Sequence, residues 1–248
     1  MRYKSFGNPA LPTILLLHGG GLSWWSWMPV ISSLEKEFHV VAAIIDGHGE
    51  DYETPFESIE AAADKILDTI EKEYDGHVHA ICGLSIGAQI TVELLFKKKD
   101  ITSYAVIESA LVFPIKGTTL LTVPTYKLFY GLIKQKWFSN LQAKSLYVPE
   151  AQFDAYYEDS IKMTKASLIN MTLSNGNYGV KNGLSLTSAK SLILAGEKEL
   201  ELMKKSARLL SRTLCNSELQ ILPGLKHGEL SLTKPSEYAE LVKAFISK

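Results

Sequence analysis

Gly83-Leu84-Ser85-Ile86-Gly87 decides how the rest of this chain is read. The five residues follow an apolar run, Val78-His79-Ala80-Ile81-Cys82, and lead into a helix-like stretch beginning Ala88-Gln89-Ile90. A Gly-x-Ser-x-Gly in that setting reads as a strand, a sharp turn with serine at its apex, and a helix. Glycine is needed on both flanks because so tight a turn brings backbone against backbone, where a Cβ would clash. The helix then aims its N-terminal N–H groups and positive dipole end at the serine. Glycine and serine are common enough that the pattern alone is a weak signal, so the surrounding sequence has to carry the reading.

Outward from this turn, short apolar runs alternate with helix-like segments. Runs at 13–17, 40–45, 78–82, 104–107, 191–195 and 218–222 read as six buried strands. Such alternation argues for a mostly parallel sheet with helices on both faces. Thr54-Pro55-Phe56-Glu57 resembles a capping box with proline at the first helical position. Phe56, Ile59, Ala63, Ile66, Ile70 and Tyr74 then recur at helical spacing up to Gly76. Pro235 opens a last helix with Tyr238, Leu241, Val242 and Phe245 on one face. The alternation breaks between about Phe113 and Leu186, a stretch rich in Tyr, Phe and Trp with no convincing strand. We read residues 113–186 as a helical cap inserted into an α/β core formed by residues 1–112 and 187–248.

Bulk properties narrow the function. The chain has 248 residues, with 26 Lys+Arg against 27 Asp+Glu, a formal net charge of −1. That balance does not favour nucleic acid or an anionic membrane surface as partner. Hydrophobic residues make up 46%, enough for a sizeable core. No segment reads as a signal peptide or a membrane span. Cys82 and Cys215 are read as two buried free thiols of a reducing, cytoplasmic protein.

A serine hydroxyl needs a base, the base needs an orienting acid, and the oxyanion needs donors. Pro223-Gly224-Leu225-Lys226-His227-Gly228 follows the last strand, Gly196-Glu197-Lys198-Glu199 follows the fifth, and His18-Gly19-Gly20-Gly21 follows the first. In open α/β sheets the ligand crevice lies at the carboxyl ends of the strands, and all these segments are there.

Together these residues resemble the α/β-hydrolase superfamily: a His-Gly oxyanion loop, a nucleophile elbow, and a late acid and histidine in the order Ser, Asp/Glu, His. Asp46-Gly47-His48-Gly49 is similar to the family's glycine-containing turn after the second strand. The resemblance spans nearly the whole chain. It implies Ser85 as nucleophile, His227 as general base and then general acid, and the N–H groups of Gly20 and Ile86 as the oxyanion hole. The family's acid is usually Asp in a Gly-x-x-Asp turn. Here that position is Glu199, with Glu197 and Glu201 as neighbours, and Glu108 at the end of the fourth strand run is the alternative. Trp24 and Gly21 are expected to face substrate, whereas Trp25 and Trp27 are expected to pack against the cap. The aromatics of the insertion are read mostly as its own core, with a few facing substrate.

His18 is expected to shape its loop, His48 its turn, and His39 a connection. His77 and His79 are read as solvated or core residues, because two histidines without a third ligand make a poor metal site. Lys97-Lys98-Lys99 reads as a helix C-terminus. The expected function is hydrolysis of a small or medium apolar carboxylic ester through an acyl-enzyme, without metal or organic cofactor. A carbon–carbon bond hydrolase or acyltransferase with the same triad is an alternative. A non-catalytic small-ligand receptor on the same fold is another. The expected partner is a small-molecule substrate. Homodimerisation is possible in such folds, although no stripe in the sequence points to it.

Overall fold

The computed structural model describes residues 1–247. Seven strands form a single sheet: β1 (Arg2–Phe6), β2 (Thr13–Leu17), β3 (His39–Ile44), β4 (Val78–Leu84), β5 (Thr102–Glu108), β6 (Lys190–Gly196) and β7 (Ser217–Leu222). Their spatial order is β1-β3-β2-β4-β5-β6-β7. All pair in parallel except β1, which runs antiparallel along β3. The six apolar runs in the sequence correspond to β2 through β7. β1 adds a seventh strand that the sequence did not announce, because it is a partly exposed edge strand without an apolar run.

The parallel strands are apolar on both faces because helices cover both. Leu15 and Leu17 of β2 and Ile81 of β4 face one core, packed against α2 (Ile59–Glu73), α3 (Ile86–Lys97) and α8 (Glu201–Thr213). Ile14, Leu16, Ala80 and Cys82 face the other, packed against α1 (Met28–Leu34) and α10 (Pro235–Ile246). The alternation of β2 and β4 residues between the cores is the two-residue period of a strand. Pro235 stands at the start of α10, as its sequence suggests.

The sequence placed the start of α2 too early. The helix begins at Ile59, and the hydroxyl of Ser58, not a box beginning at Thr54, accepts from Ala61 N–H (3.1 Å). Residues 54–57 stay outside the helix because the segment after β5 ties them down. Ser167 Oγ accepts from Phe56 N–H (3.2 Å) and the Asn170 amide donates to Phe56 O (3.0 Å).

Between β5 and β6 the described chain contains no strand. It forms α4 (Thr118–Phe129), α5 (Lys136–Ser145), α6 (Phe153–Lys162) and α7 (Lys165–Asn177). These helices have a small core of their own around Ile133, Met163 and Leu168, with Tyr126, Tyr130, Phe138 and Met171 packed on it. They are pinned to the sheet's carboxyl edge. Trp25 donates to Asp159 of α6 (2.7 Å), and Gln89 of α3 donates to Asn175 O of α7 (3.1 Å). The remaining helix, α9 (Glu229–Thr233), follows β7.

Cys82 is a buried free thiol, but Cys215 is exposed. Its place in the turn that enters β7 leaves it outside both cores, so the reading of two buried thiols is corrected. Lys97 closes α3 and pairs with Asp64, while Lys98 pairs with Glu71.

Candidate active site

Ser85 occupies the junction of β4 and α3 with φ 55° and ψ −113°, a backbone conformation that costs a non-glycine residue energy. Neighbours on every side hold it there. Its N–H donates to Glu108 O of β5 (2.9 Å), and Gln89 N–H donates back to Ser85 O (3.0 Å). The flanking glycines are obligatory for the reason the sequence suggested. A Cβ on Gly83 would collide with the carbonyl of Gly87, and one on Gly87 with the carbonyl of Leu17 in β2. The order β3-β2-β4 also puts this junction where the chain changes its direction of progress across the sheet, where open α/β sheets hold their crevice.

Parallel pairing brings the carboxyl ends of six strands to this edge. His227, on the loop after β7, has Nε2 3.0 Å from Ser85 Oγ and Nδ1 3.1 Å from Glu199 Oε2. With Nδ1–H donating to the carboxylate, Nε2 is free to accept the serine proton. Glu199, on the loop after β6, is buried. Its other oxygen accepts from Gly196 N–H (2.7 Å) and Ser109 Oγ (2.8 Å). Burial works against its charge, but the bonds from His227, Gly196 and Ser109 outweigh that and hold its carboxyl below the ordinary value.

Ser109, which sequence reasoning passed over, links the pieces. It accepts from Gly228 N–H (3.2 Å), tying the histidine loop to the acid, and holds a positive φ of 58° at the end of β5. Nothing marks it in the sequence, since it is one serine among many.

The alternative acid, Glu108, is buried beneath the elbow and makes no hydrogen bond to His227. Its Oε1 accepts from Ser231 N–H at 3.4 Å, and its Oε2 has no partner among the described residues. Burial pushes its carboxyl up to about 7. Glu197 accepts instead from Gly224 N–H (2.8 Å), and Glu201 pairs with Lys204 and Arg208.

A cavity of about 270 Å³ adjoins Ser85, lined by Gly20, Ile86, Ile115, Thr118, Met171, Thr172, Asn175 and Gly176. Two expected substrate contacts do not line it. Trp24 stacks on Phe6 of β1 at 5.9 Å with the Lys4 ammonium 5.3 Å above its ring. The edge strand missing from the sequence reading is what draws it away. Gly21 turns at φ +77° toward Leu146 rather than into the cavity. Trp25 meets α6 as expected, and Trp27 is buried with its ring against Tyr238 of α10, in a core that also includes Ala143 and Tyr156 of the inserted helices. No aromatic side chain lines the cavity. Aliphatic, thioether, hydroxyl and amide groups do; Tyr126, Tyr130 and Phe138 pack on the insertion's own core, while Phe129 and Trp137 are exposed.

His18 is fully buried, accepts from Ile45 N–H through Nε2 (3.1 Å) and donates through Nδ1 to Gly19 O (2.9 Å). Burial pushes it down to about 3, so it stays neutral and fixes the glycine loop to the loop after β3. His48 donates to Asp46 O (3.0 Å) within its turn, and His39 bonds Ser5 and Thr13 across three strands. His77 bonds Asp100 O and Ser103, and His79 lies between Phe38 and Tyr104. Among the described residues, no three His, Cys, Asp or Glu side chains converge as a metal would require.

Comparison with known proteins gives the same fold. The structure is similar to the enol-lactonase from Burkholderia xenovorans LB400, with a TM-score of 0.81 and 14% identity over 100% of this chain and 96% of that one. It is also similar to a thermophilic esterase from Thermogutta terrifontis, with a TM-score of 0.78 and 16% identity over 99% and 92%. In sequence, it is 25% identical over 89 residues to the pimeloyl-[acyl-carrier protein] methyl ester esterase of Nitrosomonas europaea. That match covers 36% of this chain and only 33% of the relative. The profile of the alpha/beta hydrolase family matches residues 14–241, the whole sheet except its edge strand, and on that match the chain belongs to the alpha/beta hydrolase family.

Proposed function

We propose that the protein hydrolyses carboxylic esters through an acyl-enzyme on Ser85. The observation that carries this reading is the continuous chain from Ser85 Oγ through His227 to Glu199, at 3.0 and 3.1 Å, opening onto the cavity. His227 Nε2 takes the hydroxyl proton as Oγ attacks the substrate carbonyl. Buried Glu199 steadies the imidazolium and holds its tautomer. The N–H groups of Gly20 and Ile86, which share the cavity wall with Ser85, receive the oxyanion, helped by the N-terminal end of α3. His227 then returns the proton to the departing alcohol, and a water activated by the same nitrogen releases the acid.

The inserted helices act as a cap. Met171, Thr172, Asn175 and Gly176 of α7 form the wall opposite Gly20 and Ile86. No charged side chain lines the cavity, which fits an uncharged acyl group of modest size. That the similar proteins include an esterase and an enol-lactonase agrees with this choice of substrate class.

The test is covalent labelling with a fluorophosphonate probe together with an ester panel of varied acyl length. Wild type is expected to label at Ser85 and turn over short esters. Ser85→Ala is expected to do neither. A folded wild-type protein that neither labels nor turns over any ester, yet binds a small ligand as well as Ser85→Ala does, makes the fold a receptor instead.

A further inference from the structure

We propose that the outward face of α4 is a docking surface for an anionic lipid bilayer, set at the mouth of the Ser85 cavity. One side of α4 packs inward. Thr122 is buried, and Tyr126 bonds Thr172 of α7 at 2.9 Å. The opposite side carries Leu120, Leu121, Pro124 and Leu128, one stripe at helical spacing, followed by Phe129. Leu120 and Leu128 are 77% and 75% exposed, Leu121 63% and Phe129 51%. An apolar helix face is ordinarily covered, and these side chains stay largely exposed among the described residues. Clustered apolar side chains so far out of the surface mark an interaction site, where scattered ones would not.

Charge identifies the occupant. From residue 109 to residue 149 the chain holds five lysines and no aspartate or glutamate, although the whole protein has a net charge of −1. Lys136 pairs with Asp154, but Lys116, two residues before α4, and Lys127, near its end, are exposed and form no ion pair among the described residues. Bulk charge therefore hides a cationic, leucine-rich patch. Two copies meeting through this face would oppose lysine to lysine, which disfavours a dimer. The leucines stand on a convex helix instead of lining a groove. Fluid hydrocarbon accepts such side chains without shape complementarity, while headgroup phosphates meet the lysines, the recipe of a helix lying in the membrane interface. Among the described residues no helix is long and apolar enough to cross a membrane, so this is attachment in the plane. The surface is continuous with the cavity. Thr118, the first residue of α4, and Ile115 just before it both line the space beside Ser85, and Ile115 is 45% exposed.

The test is co-sedimentation of the full chain with vesicles of phosphatidylcholine alone and of phosphatidylcholine mixed with phosphatidylglycerol, at low and high salt. Wild type is expected to partition onto the mixed vesicles, and less so as salt rises. The variant L120S/L121S/L128S is expected to lose about tenfold or more in partitioning. K116E/K127E is expected to lose the preference for phosphatidylglycerol. Both should keep the wild-type unfolding midpoint, since none of these side chains is buried. Failure of wild type to bind the mixed vesicles overturns the proposal, as does equal binding by L120S/L121S/L128S. Light scattering that finds a dimer abolished by L120S/L121S/L128S assigns the face to a second copy. Binding of a polyglutamate peptide as tight as that of the vesicles assigns the lysines to an acidic polypeptide, and either result removes the bilayer as occupant.

Discussion

Ser85 has the backbone conformation that the proposed chemistry requires and that its residue type resists. Its positive φ stores of the order of 1–3 kcal/mol, held by the elbow's hydrogen bonds and its glycine flanks. Both Ser85→Ala and Ser85→Gly should abolish ester turnover, but only glycine relieves the strain. Ser85→Gly is therefore expected to be the more stable of the two by about 1 kcal/mol in chemical denaturation, after allowing for the flexibility glycine adds to the unfolded chain. Equal stability of the two variants would show that the elbow is unstrained. Glu199→Gln keeps the shape but can present its amide to His227 Nδ1, inviting the wrong tautomer. The expected loss in kcat is about a thousandfold or more, with little change in KM. Because its carboxyl is held below the ordinary value, Glu199 also contributes stability that is present above the ordinary value of 4.5 and lost as pH falls below it through the lower folded value. Ser85 and His227 were legible because each sits in a short local pattern. Glu199 was legible only as one of several glutamates. What singles it out is a contact across 28 residues of chain.

At the scale of elements, the elbow is a contact between three of them. Gly87 of α3 lies against Leu17 of β2, and Gly83 of β4 lies against the first turn of α3. Gly87→Ala puts a methyl group into backbone that cannot rotate away. It is expected to cost about 3 kcal/mol or more, read as a fall in unfolding midpoint. A midpoint within experimental error of wild type would mean that β2 and α3 can separate at no cost. The parallel strands and α10 were readable from apolar runs and from Pro235, because burial on both faces leaves a compositional trace. β1 was not, since an edge strand needs only one partner and one covered face. Missing it misplaced Trp24, whose ring goes to Phe6. The start of α2 was misjudged for a related reason: contacts from α7 more than 100 residues away keep residues 54–57 out of the helix.

For the whole molecule, the informative group is Glu108, buried at the sheet's carboxyl edge where the two halves of the chain meet. Its carboxyl titrates at about 7 in the folded protein, against 4.5 for an ordinary glutamate. The folded state thus keeps a proton that the unfolded chain has already released. Stability on this account is greatest below about 4.5, falls as pH rises to about 7, and is level above that. The difference is about 3 kcal/mol across the window. Glu108→Gln cannot ionise and retains an oxygen for the Ser231 N–H. Denaturation at pH 5 and pH 8 is expected to show the variant losing less stability than wild type between the two. An identical pH dependence in both proteins would mean that Glu108 is not held neutral by its burial.

The sequence by itself determined the order of parts: a glycine loop after one strand, a serine elbow after another, a histidine after the last, and a helical stretch that breaks the alternation. Each is a local pattern, fixed by turn geometry or by burial on both faces, and so survives in linear form. Tertiary structure alone decided which carboxylate meets His227, that Ser109 joins the acid to the histidine loop, which residues line the cavity, and that α4 exposes a leucine face. Those depend on strand pairing and on which face of each helix finds a neighbour, and such pairings are made between residues far apart in the chain.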